Sequence, residues 1–353
     1  MGTERARVRC RDRLERLAEG TLDSESVRRE AIAALRAAIG FERFCVPLVD
    51  PDTLIAYGGV ADSDHISELG RLQLADARLD EPNSGWRLAR GGARVGRLSN
   101  ATRGDLARSK RWRNSLERFG TGDELRGLAV DERGAWGRFD LWRDRDDRPF
   151  DEDDEQLLRE VSPLLGRALR RAGTGARAPA AGPPPPAGVL LVDAHARVLA
   201  NTPAIPRWLE LLNPGRVPYA GGIPSLVWTV AGRAAAAAAG EDPDRPPRLR
   251  VRAADGRWAV VEAAPLERGD GIAITMHAAS AREVLELVCR AHGLTARERE
   301  VAELIAEGLD TAQIAARLVV SRYTVQDHLK AIFAKTGAGS RLELLTGVLA
   351  QAG

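Results

Sequence analysis

Apolar positions recur at helical spacing over Val27, Ala31, Ala34, Leu35 and Ala38 and stop at Gly40, the pattern of an amphipathic helix closed by glycine. Two strand-like runs follow, Phe44–Val49 and Leu54–Val60, across a Pro-Asp turn. After a helical middle, Leu125–Val130 and Trp136–Trp142 read as a hairpin. The segment ends with RPFDEDDEQLLREVSPLLGRALRRA, whose acidic Asp151–Asp154 suits a helix N-terminus. Helix, paired strands, helices, hairpin and closing helix make an α+β layout.

The pattern then breaks at GTGARAPAAGPPPPAG, residues 173–188, where small residues and consecutive prolines favour an extended spacer over a core. Beyond it, short strands are predicted at Val189–Val192 and Arg197–Ala200 around a turn at Asp193–Ala196. Leu249–Ala253 and Trp258–Ala264 flank Asp255-Gly256, a strong two-residue hairpin signal, and Gly271–Met276 gives a further strand. The Pro-rich stretch 203–224 leaves the middle of this segment unassigned. Val284, Leu287, Val288 and Ala291 return to helical spacing and predict a connecting helix.

Residues 294–345 hold four helix starts, each with its own cap. Thr295 with Glu298 forms a capping box ahead of Val301, Leu304 and Ile305, and Gly308 ends that helix. Asp310 with Gln313 opens a second helix carrying Ile314, Ala315 and Leu318. Ser321 opens a third, ended by Gly337, and Ser340 with Glu343 caps a short fourth. In the third helix Val325, Leu329, Ile332 and Phe333 make the core face, with Tyr323, Gln326, Asp327 and Lys330 opposite. His328 lies beside the core face and is expected to be a hydrogen-bonded structural residue.

The formal charge of +2 says little about partners, but its distribution says more. From Arg317 to Arg341 there are five basic residues (Arg317, Arg322, Lys330, Lys335, Arg341) against one acid, Asp327. The first of the four helices carries Glu298, Glu300, Glu303 and Glu307 instead. One face of the module is therefore positive, as a duplex phosphate backbone requires.

Other chemistry is thin. Cys10, Cys45 and Cys289 are far apart with no CxxC pair, which points to a reducing compartment, and none of the five histidines has ligand spacing. No metal and no cofactor are expected. Cys45 within FCVPLV reads as a buried structural cysteine, and Asp50 lacks the neighbouring carboxylates of a phospho-acceptor. The DEDDE run at 151–155 lacks calcium-loop spacing, and no GxxxxGK[ST] motif occurs. No nucleophile–base pair is legible, so no enzyme is expected. There is no apolar run of membrane length, and Met1–Arg16 is charged throughout, so the expected location is cytoplasmic.

Three resemblances organise these segments. REREV at 297–301, the Gly308 helix end, QIAARL at 313–318 and TVQDHLKAIFAKTG at 324–337 resemble the LuxR/FixJ family of helix-turn-helix domains. Phe150, the acidic cluster and the Leu157, Leu158, Val161, Leu164, Leu165 stripe resemble the end of a GAF domain. GVLLVDAHARVLANTPA, at 188–204, resembles the opening of a PAS domain. The expected fold is multidomain α+β, with two α/β sensor domains followed by an all-α four-helix reader. Its parts are a GAF-like domain (1–172), a linker (173–187), a PAS-like domain (188–278), a connector helix (279–292) and a LuxR-type domain (293–353).

The LuxR resemblance implies sequence-specific binding of double-stranded DNA for transcription regulation. It implies a third helix in the major groove, with Gln326, Asp327 and Lys330 at base edges and Ser321, Thr324 and Lys335 at phosphates. Arg322 and Tyr323 share that end of the helix, and Val325 matches a position both core and groove-facing. A homodimer on DNA would pair through Leu342, Leu344 and Leu345 of the fourth helix. The other partners expected are RNA polymerase and a small-molecule ligand in the sensor domains. The alternative is a ligand-responsive switch whose helical module docks on polymerase rather than DNA. Val319 stands where the family usually has Gly; a β-branched residue tolerates positive φ poorly, which predicts a reshaped turn.

Overall fold

The computed structural model describes residues 2–62, 81–175, 182–212, 224–240, 245–349 and 351–352. Parts of the expected helical middle, of the spacer and of the Pro-rich stretch lie outside the described residues. Helices α1 (Gly2–Glu19) and α2 (Ser24–Ile39) open the chain. Asp23 caps α2 by accepting from the backbone of Glu25 and Ser26 at 3.0 and 3.1 Å, and Gly40 ends it at φ 76°.

Strands β1 (Arg43–Val49), β2 (Ala56–Ala61), β3 (Val95–Arg97), β4 (Thr121–Asp131) and β5 (Gly134–Asp144) form one antiparallel sheet in the order β2-β1-β5-β4-β3. Two short helices, α3 (Gly85–Arg90) and α4 (Leu98–Ala101), flank β3. The closing helix α5 (Glu152–Thr174) starts in a capping box between Asp151 and Asp154 and lays Leu157, Leu158, Val161, Leu165 and Leu169 on the sheet. The sheet's glycines let it settle closely: a Cβ at Gly137 would lie 2.4 Å from Leu169, and one at Gly166 of α5 only 2.5 Å from the Val130 backbone. Cys45 is buried, and burial pushes its thiol up to about 12, which suits a packing role and no redox one.

A second antiparallel sheet comprises β6 (Gly188–Val192), β7 (Val198–Asn201), β8 (Arg248–Arg252), β9 (Trp258–Pro265) and β10 (Ile272–Ala278), in the order β7-β6-β10-β9-β8. Numbered within each sheet, both orders are 2-1-5-4-3, so one topology occurs twice. Helices α6 (Ile205–Leu212) and α7 (Ser225–Ala238) cover this sheet, and α7 also packs on β2 of the first. Asp50 is the main ionic bridge between the two. It is buried in the β1–β2 turn, accepting from the backbone of Asp52 and Thr53, and its other oxygen takes the Arg250 backbone N–H at 2.9 Å and Nε at 3.1 Å. Burial alone would lower the Arg250 guanidinium, but Asp50 and Asp52 hold it above its ordinary value.

The connector α8 (Ala281–Ala291) leads to four helices, α9 (Ala296–Ala306), α10 (Thr311–Leu318), α11 (Arg322–Thr336) and α12 (Arg341–Leu349). It packs against α5, α9 and α12. One continuous apolar cluster joins α1, α2, α5, the connector and the four helices; a second fills the core beneath the β6–β10 sheet. No described helix is long and apolar enough to cross a membrane.

Candidate nucleic-acid interface

Each of the four C-terminal helices begins where a side chain satisfies backbone N–H groups that a helix start leaves open. Glu298 N–H donates to Thr295 Oγ1 at 3.3 Å, and Thr295 N–H to Glu298 Oε2 at 2.7 Å. Asp310 Oδ1 accepts from Ala312 and Gln313, while Gln313 Oε1 accepts from Asp310. Ser321 Oγ accepts from the Thr324 backbone at 3.0 Å and also shares a bond with the Thr324 hydroxyl. The fourth cap is half a box: Ser340 Oγ accepts from Glu343, but Glu343 Oε2 takes the N–H of Gly339.

Helix α11 divides as its periodicity predicts. Val325, Leu329 and Ile332 are buried, and Phe333 is half-buried. Arg322, Tyr323, Gln326, Asp327 and Lys330 are exposed, with Tyr323 at 80%. Val325 has no exposed surface, which corrects the expectation that it also faces the groove. His328 is half-buried and its ring makes no hydrogen bond among the described residues, contrary to expectation. Asp327 sits on the open face, its carboxylate 3.3 Å from Lys330 Nζ.

The turn before α11 keeps its form despite Val319. That residue adopts φ 54°, ψ 50°, so the expected reshaping does not occur and the left-handed geometry is borne by a valine. Val320 N–H donates to Ala315 O at 3.0 Å, and Arg297 Nη2 donates to Leu318 O at 2.8 Å. This end of α10 is therefore braced both locally and from α9.

Two of the five basic residues serve the module internally. Lys335 Nζ lies 2.6 and 2.8 Å from the Glu298 carboxylate, and Arg341 donates to Leu309 O and the Thr311 hydroxyl. Burial would raise the Glu298 carboxyl, but Lys335 and the Thr295 backbone hold it below its ordinary value. Arg317 and Arg322 form no salt bridge among the described residues and supply outward positive charge, while Lys330 shares the open face with its partner Asp327. The three leucines of the expected pairing surface part company. Leu342 is 72% exposed and Leu345 half-buried, while Leu344, at 5%, packs into its own chain. Leu349, 58% exposed and two turns beyond Leu342, continues the outward stripe. Leu349 was not among the expected pairing residues, although its seven-residue spacing from Leu342 is a signal present in the sequence.

Residues 292–347 match the family of bacterial regulatory proteins called luxR. Relatives over this region include a protein of Aeromonas salmonicida named as an HTH-type transcriptional regulator, 53% identical over 51 residues. Another, from Mycobacterium bovis and also named as an HTH-type transcriptional regulator, is 41% identical over 92 residues. The monoamine regulon transcriptional regulator of Klebsiella aerogenes is 45% identical over 53 residues. These matches cover 14%, 26% and 15% of the present chain, and 26%, 10% and 23% of the relatives, respectively. The chain thus spans about a quarter or less of the length of the curated relatives it matches. A luxR-family helix-turn-helix domain lies at residues 292–347, where α10, the braced turn and α11 follow one another.

Away from the luxR domain, Glu42, Asp144 and Asp147 are the one group of carboxylates within metal-sharing range among the described residues. They are exposed or half-exposed, and Arg43 already pairs with Asp144. Two small cavities near the contact of the two sheets, one lined by Trp86, Arg138 and Arg233 and one by Tyr57, Trp258 and Leu287, measure about 20 Å³ each. Each has room for about one water molecule.

Proposed function

We propose that the chain is a sequence-specific transcription regulator, not an enzyme, whose luxR-type domain reads double-stranded DNA with α11. The observation that carries this is the uncovered polar face of α11, presented next to a satisfied N-terminal cap in a luxR-matching segment. Gln326 and Lys330 stand at base edges. Ser321, Arg322, Tyr323 and Thr324 lie at the phosphate-facing start of the helix. Lys335 contributes its charge near phosphate from within its Glu298 pair. Asp327 serves as the partner of Lys330 and stays off the bases.

Two copies pair on DNA through the outward Leu342–Leu349 stripe, which places two α11 helices about 34 Å apart on one face of the duplex. The first 172 residues act as a GAF-like domain and 188–278 as a PAS-like domain. Support comes from the sequence resemblances and from the topology the two sheets share. A small-molecule ligand and RNA polymerase are the other partners of this reading.

Selection of the full chain on random duplexes, with a salt titration, tests it. Enrichment of a two-part site and a falling log K with log salt are the expected results. Gln326→Ala should change the preferred bases at one position per half-site by about 1–3 kcal/mol while leaving the salt slope intact. Binding with no sequence enrichment would overturn specific reading, and no duplex binding would favour docking on polymerase.

A further inference from the structure

The connector α8 is gripped at its end from outside the luxR domain. Ala291 O accepts Arg133 Nη1 at 2.6 Å and Arg170 Nη1 at 2.8 Å. Arg133 belongs to the β4–β5 turn and Arg170 to α5, so both donors come from the first domain. Asp131, with no exposed side-chain surface, arranges them. Its Oδ2 accepts Arg170 Nε at 2.7 Å, and its Oδ1 accepts the Arg133 backbone N–H at 2.9 Å and Trp136 Nε1 at 3.1 Å.

Gly293 makes the close approach of Arg133 possible. It holds φ 65°, and a Cβ there would stand 2.9 Å from Arg133 Nε. Between them, His292 Nδ1 lies 2.9 Å from Lys335 O in the last turn of α11. A short run of contacts therefore leads from Asp131 through Ala291 and His292 to the reading helix. At the rest of the connector, Glu283 pairs with Arg248 of β8 and Arg290 pairs with Asp52 of the β1–β2 turn.

A helix C-terminus gathers partial negative charge on carbonyls without internal partners, and guanidinium donors bind it more strongly than neutral ones. Two such donors on one carbonyl, Arg170 held by Asp131 through its guanidinium and Arg133 through its backbone, fix the direction in which the chain leaves the connector. The grip does not mask the reader, since the polar face of α11 and the Leu342–Leu349 stripe both stay open.

We propose that Asp131, Arg133 and Arg170 form a latch that holds the luxR domain in one orientation on the first domain. The first domain thereby sets which half-site spacing a dimer accepts; this part rests on the dimeric DNA reading above. A reader on a free tether follows several spacings, whereas a latched one fits a single spacing. These three are positioning residues and touch no nucleic acid.

The test uses the full chain carrying Arg133→Ala, with Arg170→Lys as a second variant that keeps a charge beside Asp131. Hydrogen exchange at the amides of 289–295 should speed up by at least about tenfold in both. On duplexes with half-sites at stepped separations, the wild type should favour one spacing and the variants should lose that preference, with affinity for a single half-site unchanged. Unchanged exchange overturns the latch. Faster exchange with the spacing preference intact overturns its role in spacing. If the wild type binds no duplex, the DNA reading fails by itself and exchange alone decides whether the latch exists.

Discussion

Val319 shows how much local strain this reader carries. A β-branched residue in the left-handed region costs about 1–2 kcal/mol relative to a relaxed backbone. Its side chain is 89% exposed, so little burial offsets that cost. Val319→Gly should therefore raise the stability of the full chain by about 1 kcal/mol in denaturant unfolding, despite the entropy glycine adds to the unfolded state. A loss of stability would reveal packing by the valine. His292 supplies a pH signature. Burial, and then Arg133 and Arg170, push its imidazole below the ordinary 6.5, against the pull of the Lys335 carbonyl. The unfolded chain then binds the proton more readily than the folded one. Stability is therefore full above 6.5 and declines as the pH falls from there toward the lower folded value. His292→Gln should flatten that part of a stability–pH curve, and an unaltered curve would assign the slope to other groups. At this scale the helix caps were legible because they join residues three apart. The Lys335–Glu298 pair was not, because its partners lie 37 positions apart and meet only after folding.

At the scale of elements, α12 is the helix where sequence and structure diverge most usefully. Leucines at 342, 344 and 345 look alike in sequence, but a helical step of one or two residues turns a side chain to a different side. Leu344→Ala should cost about 2–4 kcal/mol of folding stability, as loss of a buried leucine does. Leu342→Lys should leave the unfolding midpoint nearly unchanged and weaken binding to a two-part site while sparing a single half-site. If both variants lowered stability equally, the outward stripe would be part of the core. Nine of the ten strands were legible to within a few residues, since alternation and the Asp255-Gly256 turn are local signals; β3, three residues long, fell in the stretch read as helical. The pairing of β1 with β5 was not, because strand order depends on contacts about ninety residues apart that no short window contains.

Across the whole molecule, buried charge joins what the sequence divides. Asp50, Arg250, Asp52 and Arg290 link the first sheet, the second sheet and the connector. Arg250→Met leaves Asp50 buried with its ion-pair partner removed and should cost about 3–5 kcal/mol. The first and second domains should then unfold in separate steps by calorimetry, where the wild type shows coupled melting; one undivided transition in the variant would count against the bridge. The composition change at 173–188 suggests separate parts on a tether, and these ion pairs add links that no composition shows. Arg133, Arg170 and Ala291 belong to different segments and carry no shared pattern.

The connector also has a practical consequence for anyone cutting this chain. Leu287 is buried against residues of both sheets, while Val288 lines a cleft with Leu344 and Val348 of α12. A fragment starting at the joint near 279 would keep α8 yet strip away the partners of its sheet-facing side, leaving a sticky amphipathic tail. Cutting just after Ala291 would give a cleaner reader at its front end and would uncover the inner side of α12 instead. Neither cut is neutral, so a trimmed domain of this protein needs a solubilising substitution at whichever side it exposes.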